Sequence, residues 1–370
     1  MTMYPLSPAS TVRGRGTSVN PRNRFERQHV EPDPEAYATT PAATMPNAPA
    51  EVPPPPTEFI PDASRSILSF NDSPDVGFNL SVNPYRGCEH GCVYCYARPT
   101  HEFLGYSSGL DFETKVLFKP DAPVLLREAL EKPDYQPQPI ALSGVTDPYQ
   151  PVERQMELTR GCLEVLADLR NPVCVMTKSH LVARDADLLG RLARHDAAAA
   201  MISLTTLDPG LARRLEPRAA APLSRLAAIS TLARARVPVG VLVSPVIPGL
   251  NDHEIPALLT EAARAGATYA RFAMLRLPHA VAGLFDDWLA RHYPARRDKV
   301  LARIRDLRGG RLNDSRFGTR MTGEGVFALQ VADLFAVTCR RLGLRPETPR
   351  LSTQSFRRRV GQLTLPLFDE

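Results

Sequence analysis

From about residue 77 onward, short apolar, β-branched runs alternate with longer segments in which Ala, Leu and Arg recur at helical spacing. The runs are Phe78–Val82, Pro139–Ser143, Pro172–Met176, Ala200–Leu204, Val237–Val243 and Tyr269–Leu275. Runs of this kind, joined through helices, predict a parallel sheet buried on both faces and built from right-handed βα units. Six such runs in this chain fall short of the eight that close a full barrel, so an open α/β barrel is expected. A helix is expected from about Glu153 to Leu169. Past residue 280 the rhythm changes, with helical patterns over Gly283–His292, Ala295–Leu307 and Gly325–Leu342 around a basic, Gly-punctuated loop.

The first 62 residues lack periodic apolar positions and hold 13 of the 36 prolines. Such a segment buries too little surface to offset its ordering entropy, so disorder is expected there. One island, Gly14 to Glu26, mixes arginines with Phe25 and is expected to be a mobile tail. Three regions are therefore predicted: a Pro-rich extension over 1–62, a barrel over 63–280, and a helical, basic extension over 281–370.

At 370 residues and 43% hydrophobic composition, the chain can bury a full-sized core. No apolar run approaches the roughly 20 residues of a membrane span. The net charge of +5 hides local asymmetry. Ten Arg/Lys face three acids between Arg291 and Arg320, and seven arginines face one acid between Arg340 and Val360. Blocks like these suit a polyanion, with nucleic acid first in line, although a general preference for Arg over Lys would also produce them.

The densest chemistry lies in Cys88-Glu89-His90-Gly91-Cys92-Val93-Tyr94-Cys95, just past the first predicted strand. Three thiolates in one tight loop can hold three irons of a four-iron cluster and leave the fourth open to a ligand. A structural zinc site with His90 or His101 as fourth ligand is the competing reading, as part of a DNA-associated binding module. Cys162, Cys174 and Cys339 stand alone in apolar settings and are expected to pack. With no apolar signal segment at Met1 and only six cysteines, a disulfide framework is not expected, and a reducing, cytoplasmic setting is. Functional residues of parallel α/β folds gather where strands end, and Ser143–Gln150, Thr177–Ser179 and Ser203 occupy that edge.

The Cys-x3-Cys-x2-Cys spacing with an aromatic residue before the last cysteine resembles the radical S-adenosylmethionine (radical SAM) superfamily. Together with Thr177-Lys178 and Leu215-Glu216-Pro217, it looks like the spore photoproduct lyase branch, described as DNA-repair-photolyase-like. The resemblance covers roughly residues 77 to 280 and implies a partial (β/α)6 barrel of the TIM type. It implies a [4Fe-4S] cluster on Cys88, Cys92 and Cys95, and S-adenosylmethionine (SAM) near Tyr94, Thr146, Lys178 and Ser203. By the same resemblance Tyr96 matches a position of radical hydrogen transfer. The implied reaction is cleavage of SAM to a 5′-deoxyadenosyl radical that takes hydrogen from a substrate; a nucleic-acid lesion or modified base is the favoured class, with a protein or small molecule left open. An electron donor such as a flavodoxin or ferredoxin is implied as well. The branch carries a radical-quenching cysteine just before the strand-two Thr/Ser-Asp pair, where this chain has Ser143-Gly144-Val145-Thr146-Asp147. Repair of spore photoproduct itself is therefore not expected. The final Gln362-Leu363-Thr364-Leu365-Pro366-Leu367-Phe368 resembles the short peptides that dock on the bacterial sliding clamp.

Overall fold

Six parallel strands and one antiparallel edge strand make the central sheet of the computed structural model, which describes residues 11–26, 51–52 and 55–358. The parallel strands are β1 (Leu80–Val82), β2 (Ile140–Leu142), β3 (Val173–Thr177), β4 (Ala198–Ser203), β5 (Val239–Val246) and β6 (Tyr269–Met274). Each lies beside its neighbour in sequence, and Leu68–Phe70 pairs antiparallel with the outer edge of β1. This is the expected partial (β/α)6 barrel. The crossover helices are α1 (Ala122–Glu131), α2 (Leu158–Leu169), α3 (Ala186–Ala193), α4 (Pro222–Arg234) and α5 (Ile255–Arg264). Val82, Leu142, Val175, Ile202 and Val241 are fully buried between sheet and helices, each contributing about 1.5–3 kcal/mol of burial.

Three further helices follow the sheet: α6 (Val281–His292), α7 (Pro294–Asp306) and α8 (Val326–Leu342). The region after residue 280 is packed against the barrel rather than set apart from it. Helix α8 lies on α5 and puts Phe335 against Phe272 of β6, ring centroids 4.8 Å apart. It covers the last strand as a sixth barrel helix would. The basic block is also less free than its composition suggests. Arg291, Arg297, Arg303, Arg316 and Arg320 are paired with Asp287, Asp286, Asp252, Asp314 and Asp75 respectively. Residues 352–357 dock at the edge of the sheet where β3 and β4 begin, through Ser352 N on the Asp196 carbonyl and Arg357 N on the Leu169 carbonyl. The clamp-like peptide Gln362–Phe368 lies outside the described residues.

Two expectations need correction. The helix expected from Glu153 to Leu169 is broken at Glu157, whose φ of 50° is left-handed. Buried Glu153 is the reason: its carboxylate turns back to accept Thr159 N at 3.0 Å and Arg160 N at 3.2 Å, capping α2. The mobile-tail expectation for Gly14–Glu26 also fails, because Arg15, Gly16, Thr17 and Asn23 are buried against the barrel. The backbone of Glu58–Pro61 likewise pairs with Lys115–Phe118, which pairs in turn with Tyr85–Arg86 in a small second sheet. Disorder does not extend through these parts of 1–62. Arg15 and Gly16 both reach Glu113, about a hundred positions away, and Arg15 also donates to the Pro55 carbonyl and Thr57 Oγ1, which no local pattern announces.

Candidate active site

The cysteine loop follows β1 and Tyr85–Arg86 and is held by backbone bonds along its length. Cys88 N donates to the Phe112 carbonyl at 2.9 Å, Val93 N to Leu215 O at 3.1 Å, and Cys95 N to Cys92 O at 3.2 Å. Behind the loop, Arg98 and Glu113 form a fully buried ion pair. Arg98 also donates to the carbonyls of Cys92 at 2.9 Å and Gly109 at 2.8 Å. Glu113 accepts the backbone amides of Gly16 at 2.8 Å and Thr17 at 3.2 Å. The island thus stitches onto the back of the loop. Gly16 is required there, since a Cβ would sit 1.7 Å from the Gly91 carbonyl oxygen.

All three cysteines are free; Cys88 and Cys92 are buried and Cys95 is half-buried. Burial foremost, and then neighbouring Glu216, hold the Cys92 thiol well above its ordinary range; burial and Cys88 push Cys95 up as well. Such thiols become thiolates only with a positive partner close by, which iron supplies. Three soft donors on one braced loop therefore fit an iron–sulfur cluster. The single-zinc reading fits less well. Among the described residues no three His, Cys, Asp or Glu side chains converge on one ion position. His90 is committed to Asp147, 3.3 Å away, and His101 is buried against Tyr106 and Phe112.

The cofactor candidates separate into two groups. Tyr94, Lys178 and Ser203 come together above β3 and β4. Lys178 Nζ donates to Ser203 Oγ at 2.6 Å and lies 5.9 Å from the Tyr94 ring centre. Beneath them, Tyr94 donates its hydroxyl to buried Glu216, and Glu216 pairs with buried Arg225. Thr205 Oγ1 completes the network at 2.6 Å, and Lys178 Nζ is 4.0 Å from Glu216 Oε1. Burial alone would raise the Glu216 carboxyl, but Arg225 and Lys178 hold it down at about 2.

Thr146 lies elsewhere. Its hydroxyl donates to the Gly87 carbonyl at 2.7 Å and accepts from Gln150, so here it braces the entry to the cysteine loop. Asp147 beside it ties β2 to β3 by accepting Thr177 Oγ1 at 2.7 Å and Lys178 N at 2.8 Å. Tyr96 is 52% exposed and donates its hydroxyl to the Gly144 carbonyl at 2.6 Å. Arg276, just past β6, stacks over its ring at 5.5 Å. Cys174 pairs in register with Ala141 near the start of β3, away from this edge.

Residues 82–262 match the Radical SAM superfamily. The chain is also 38% identical over 232 residues to an uncharacterized protein of Mycobacterium tuberculosis, spanning 62% of this chain and 67% of that one. The chain belongs to the radical SAM superfamily. It is a radical SAM enzyme, and the superfamily's cofactors are a [4Fe-4S] cluster and SAM. Its fold is similar to that of spore photoproduct lyase complexed with dinucleoside spore photoproduct, at a TM-score of 0.55 and 16% identity over 78% of this chain and 81% of that one. A variant of that lyase with bound AdoMet and dinucleoside spore photoproduct matches at a TM-score of 0.53 and 15% identity, over 81% and 83% of the two chains. Among the described residues, no helix of this radical SAM enzyme is long and apolar enough to cross a membrane.

Sequence reading missed Arg98, Glu113, Arg225 and Arg276. Arg276 carried a usable signal, a lone cation between Leu275 and Leu277 at the end of a predicted strand. Glu216 stood in the Leu215-Glu216-Pro217 motif, but the pairings Arg98–Glu113 and Arg225–Glu216 carried no signal, because the partners meet only through the fold.

Proposed function

We propose that Cys88, Cys92 and Cys95 hold the cluster, that Tyr94, Lys178 and Ser203 hold SAM beside it, and that the substrate is a nucleic-acid lesion or modified base. When bound, the cofactors supply reductive cleavage of SAM and a radical able to take hydrogen from an unactivated carbon. The chain's own residues position and shield. Arg98 and Glu113 fix the loop; Lys178 offers a compact positive charge to the SAM carboxylate; the Glu216–Arg225 pair holds Tyr94 against Lys178. The observation that carries this reading is the meeting of Lys178, Ser203 and Tyr94, one residue from Cys95, on the edge where the strands end.

Thr146 enters this reading as a brace rather than a direct cofactor ligand, because its hydroxyl is spent on Gly87. Tyr96 is proposed to pass a hydrogen atom through its hydroxyl oxygen. Gly144 and Val145 stand where the lyase branch has its quenching cysteine, so a different outcome from spore photoproduct repair is proposed. The electron enters from a flavodoxin or ferredoxin in the reducing cytoplasm. A sliding clamp is proposed to bind the terminal Gln362–Phe368, which a peptide of residues 360–370 tests by micromolar binding to purified clamp.

Anaerobic reconstitution with iron and sulfide, followed by reductant and SAM, tests the core of the reading. We expect 5′-deoxyadenosine from the wild type, and at least about tenfold weaker SAM binding in Lys178→Ala. A reconstituted protein that holds iron but neither binds nor cleaves SAM would leave the DNA-associated module with a structural metal as the better account.

A further inference from the structure

Most buried or half-buried arginines around the strand-end edge have an anion to answer them. Arg98 has Glu113, Arg225 has Glu216, and Arg320 has Asp75. Arg276 does not. It sits between buried Leu275 and Leu277, is itself largely covered, and makes no ion pair among the described residues. Its one hydrogen bond runs from Nη1 to the Met321 sulfur at 3.7 Å, a weak acceptor, and its buried Nε has no partner. The nearest carboxylate, Asp75, is already taken by Arg320 and by the amide of Gly318 at 2.7 Å. A guanidinium with unused donors in a covered site is costly unless an anion arrives to complete it.

We propose that Arg276, backed by Arg320, binds a backbone phosphate of a nucleic-acid substrate and so fixes that substrate beside Tyr96. This rests on the nucleic-acid reading above and names the part of the substrate that the site grips. The rim has the composition such a ligand needs. Arg276 lies over the ring of Tyr96 at 5.5 Å, and Arg320 lies over the ring of Phe317 at 4.5 Å. Both rings are more than half exposed, at 52% and 57%. Cations seated on accessible aromatic faces suit a phosphodiester whose neighbouring bases are unstacked. Burial first and then the nearby Arg320 lower the Arg276 pKa, against smaller opposing effects of Tyr96 and Asp75, and a bound anion offsets the lowering. Place separates this subsite from the SAM carboxylate. Lys178 follows β3 and Ser203 ends β4, whereas Arg276 follows β6.

The test uses full-length, anaerobically reconstituted protein and fluorescence anisotropy with a labelled single-stranded oligodeoxynucleotide. A second strand of the same sequence carries neutral methylphosphonate linkages. The wild type is expected to prefer the charged strand by about tenfold or more, and its salt slope should exceed that of Arg276→Gln by about one. Arg276→Gln should lose most of the preference and Arg276→Lys only part, with SAM affinity and melting temperature as controls for the fold. The wild-type comparison stands even if a variant misfolds. The proposal is overturned if folded Arg276→Gln keeps the wild-type preference and slope, or if it loses SAM while keeping the strand, since the anion is then the cofactor's carboxylate. Should the wild type bind neither strand, inorganic pyrophosphate decides. Binding that Arg276→Gln abolishes keeps the phosphate subsite and removes the nucleic-acid reading, and no pyrophosphate binding removes both.

Discussion

Arg98 lies two residues past the half-exposed Tyr96 and Arg276 lies over its ring, and the fold treats the two arginines in opposite ways. Arg98 is sealed: its guanidinium meets the Glu113 carboxylate and three backbone carbonyls, and Glu113 in turn holds Gly16 and Thr17. Arg276 is left with a thioether and an aromatic face. The first arrangement makes a rigid wall for the cysteines, with little capacity left for a ligand. The second leaves guanidinium donors unused. Where buried charge is answered within the chain it serves as scaffold; for Arg276, under the proposal above, the missing partner comes with the ligand.

The largest effect should come from the cysteines, for which the wall exists. Replacing Cys88, Cys92 or Cys95 with Ala should abolish the brown colour and SAM cleavage, while Cys162→Ala, Cys174→Ala and Cys339→Ala should keep both. Iron content and absorption after anaerobic reconstitution check this, and full activity in Cys92→Ala would remove the ligand assignment. Next comes Glu113→Ala, which strands the buried Arg98 and should cost about 3–5 kcal/mol in denaturant unfolding. A loss below about 1 kcal/mol would mean that the wall is not held by this pair.

Glu216→Gln sharpens the same contrast through pH. The Glu216 carboxyl sits at about 2 against an ordinary 4.5, so its contribution is complete above about pH 4.5 and disappears as pH falls through about 2. The stability gap between wild type and Glu216→Gln should therefore stay constant from pH 7 to about 5 and close on further acidification. A gap that widens in acid would contradict the assigned sign. Gly16→Ala should be milder, about 1–3 kcal/mol, because the new methyl must displace the Gly91 carbonyl or lift the island away. Faster proteolysis within residues 14–26 would report that lifting. The smallest change is expected from Thr146→Val, about 1 kcal/mol, since Gln150 Nε2 still reaches the Gly87 carbonyl at 3.3 Å. A loss of SAM binding in a stable Thr146→Val protein would restore Thr146 as a direct cofactor ligand.

Much of this was legible in the linear chain, for identifiable reasons. The six strands announced themselves because a sheet covered on both faces demands continuous apolar runs, as in Val173–Thr177 and Ala198–Ser203. The cysteine triplet was legible because its three members lie within eight residues of one another. Lys178 and Ser203 were placed at the correct edge, since both follow or end a strand. The break at Glu157 was hidden because the sequence around it reads as an uninterrupted helix. Only the folded chain brings the Glu153 carboxylate back onto the amides of Thr159 and Arg160.

The sequence by itself determined the parallel α/β architecture, the cysteine loop and the strand ends that surround it. Periodicity and spacing are properties of neighbouring residues, so the chain displays them directly. Tertiary structure alone decided that Gly14–Glu26 is part of the cysteine wall, that the Thr146 hydroxyl donates to the Gly87 carbonyl, and that Arg276 makes no ion pair among the described residues where Arg98 has one. Each of those outcomes depends on which distant group lies within about 3 Å of a charge or a carbonyl, and burial turns that proximity into the dominant energy.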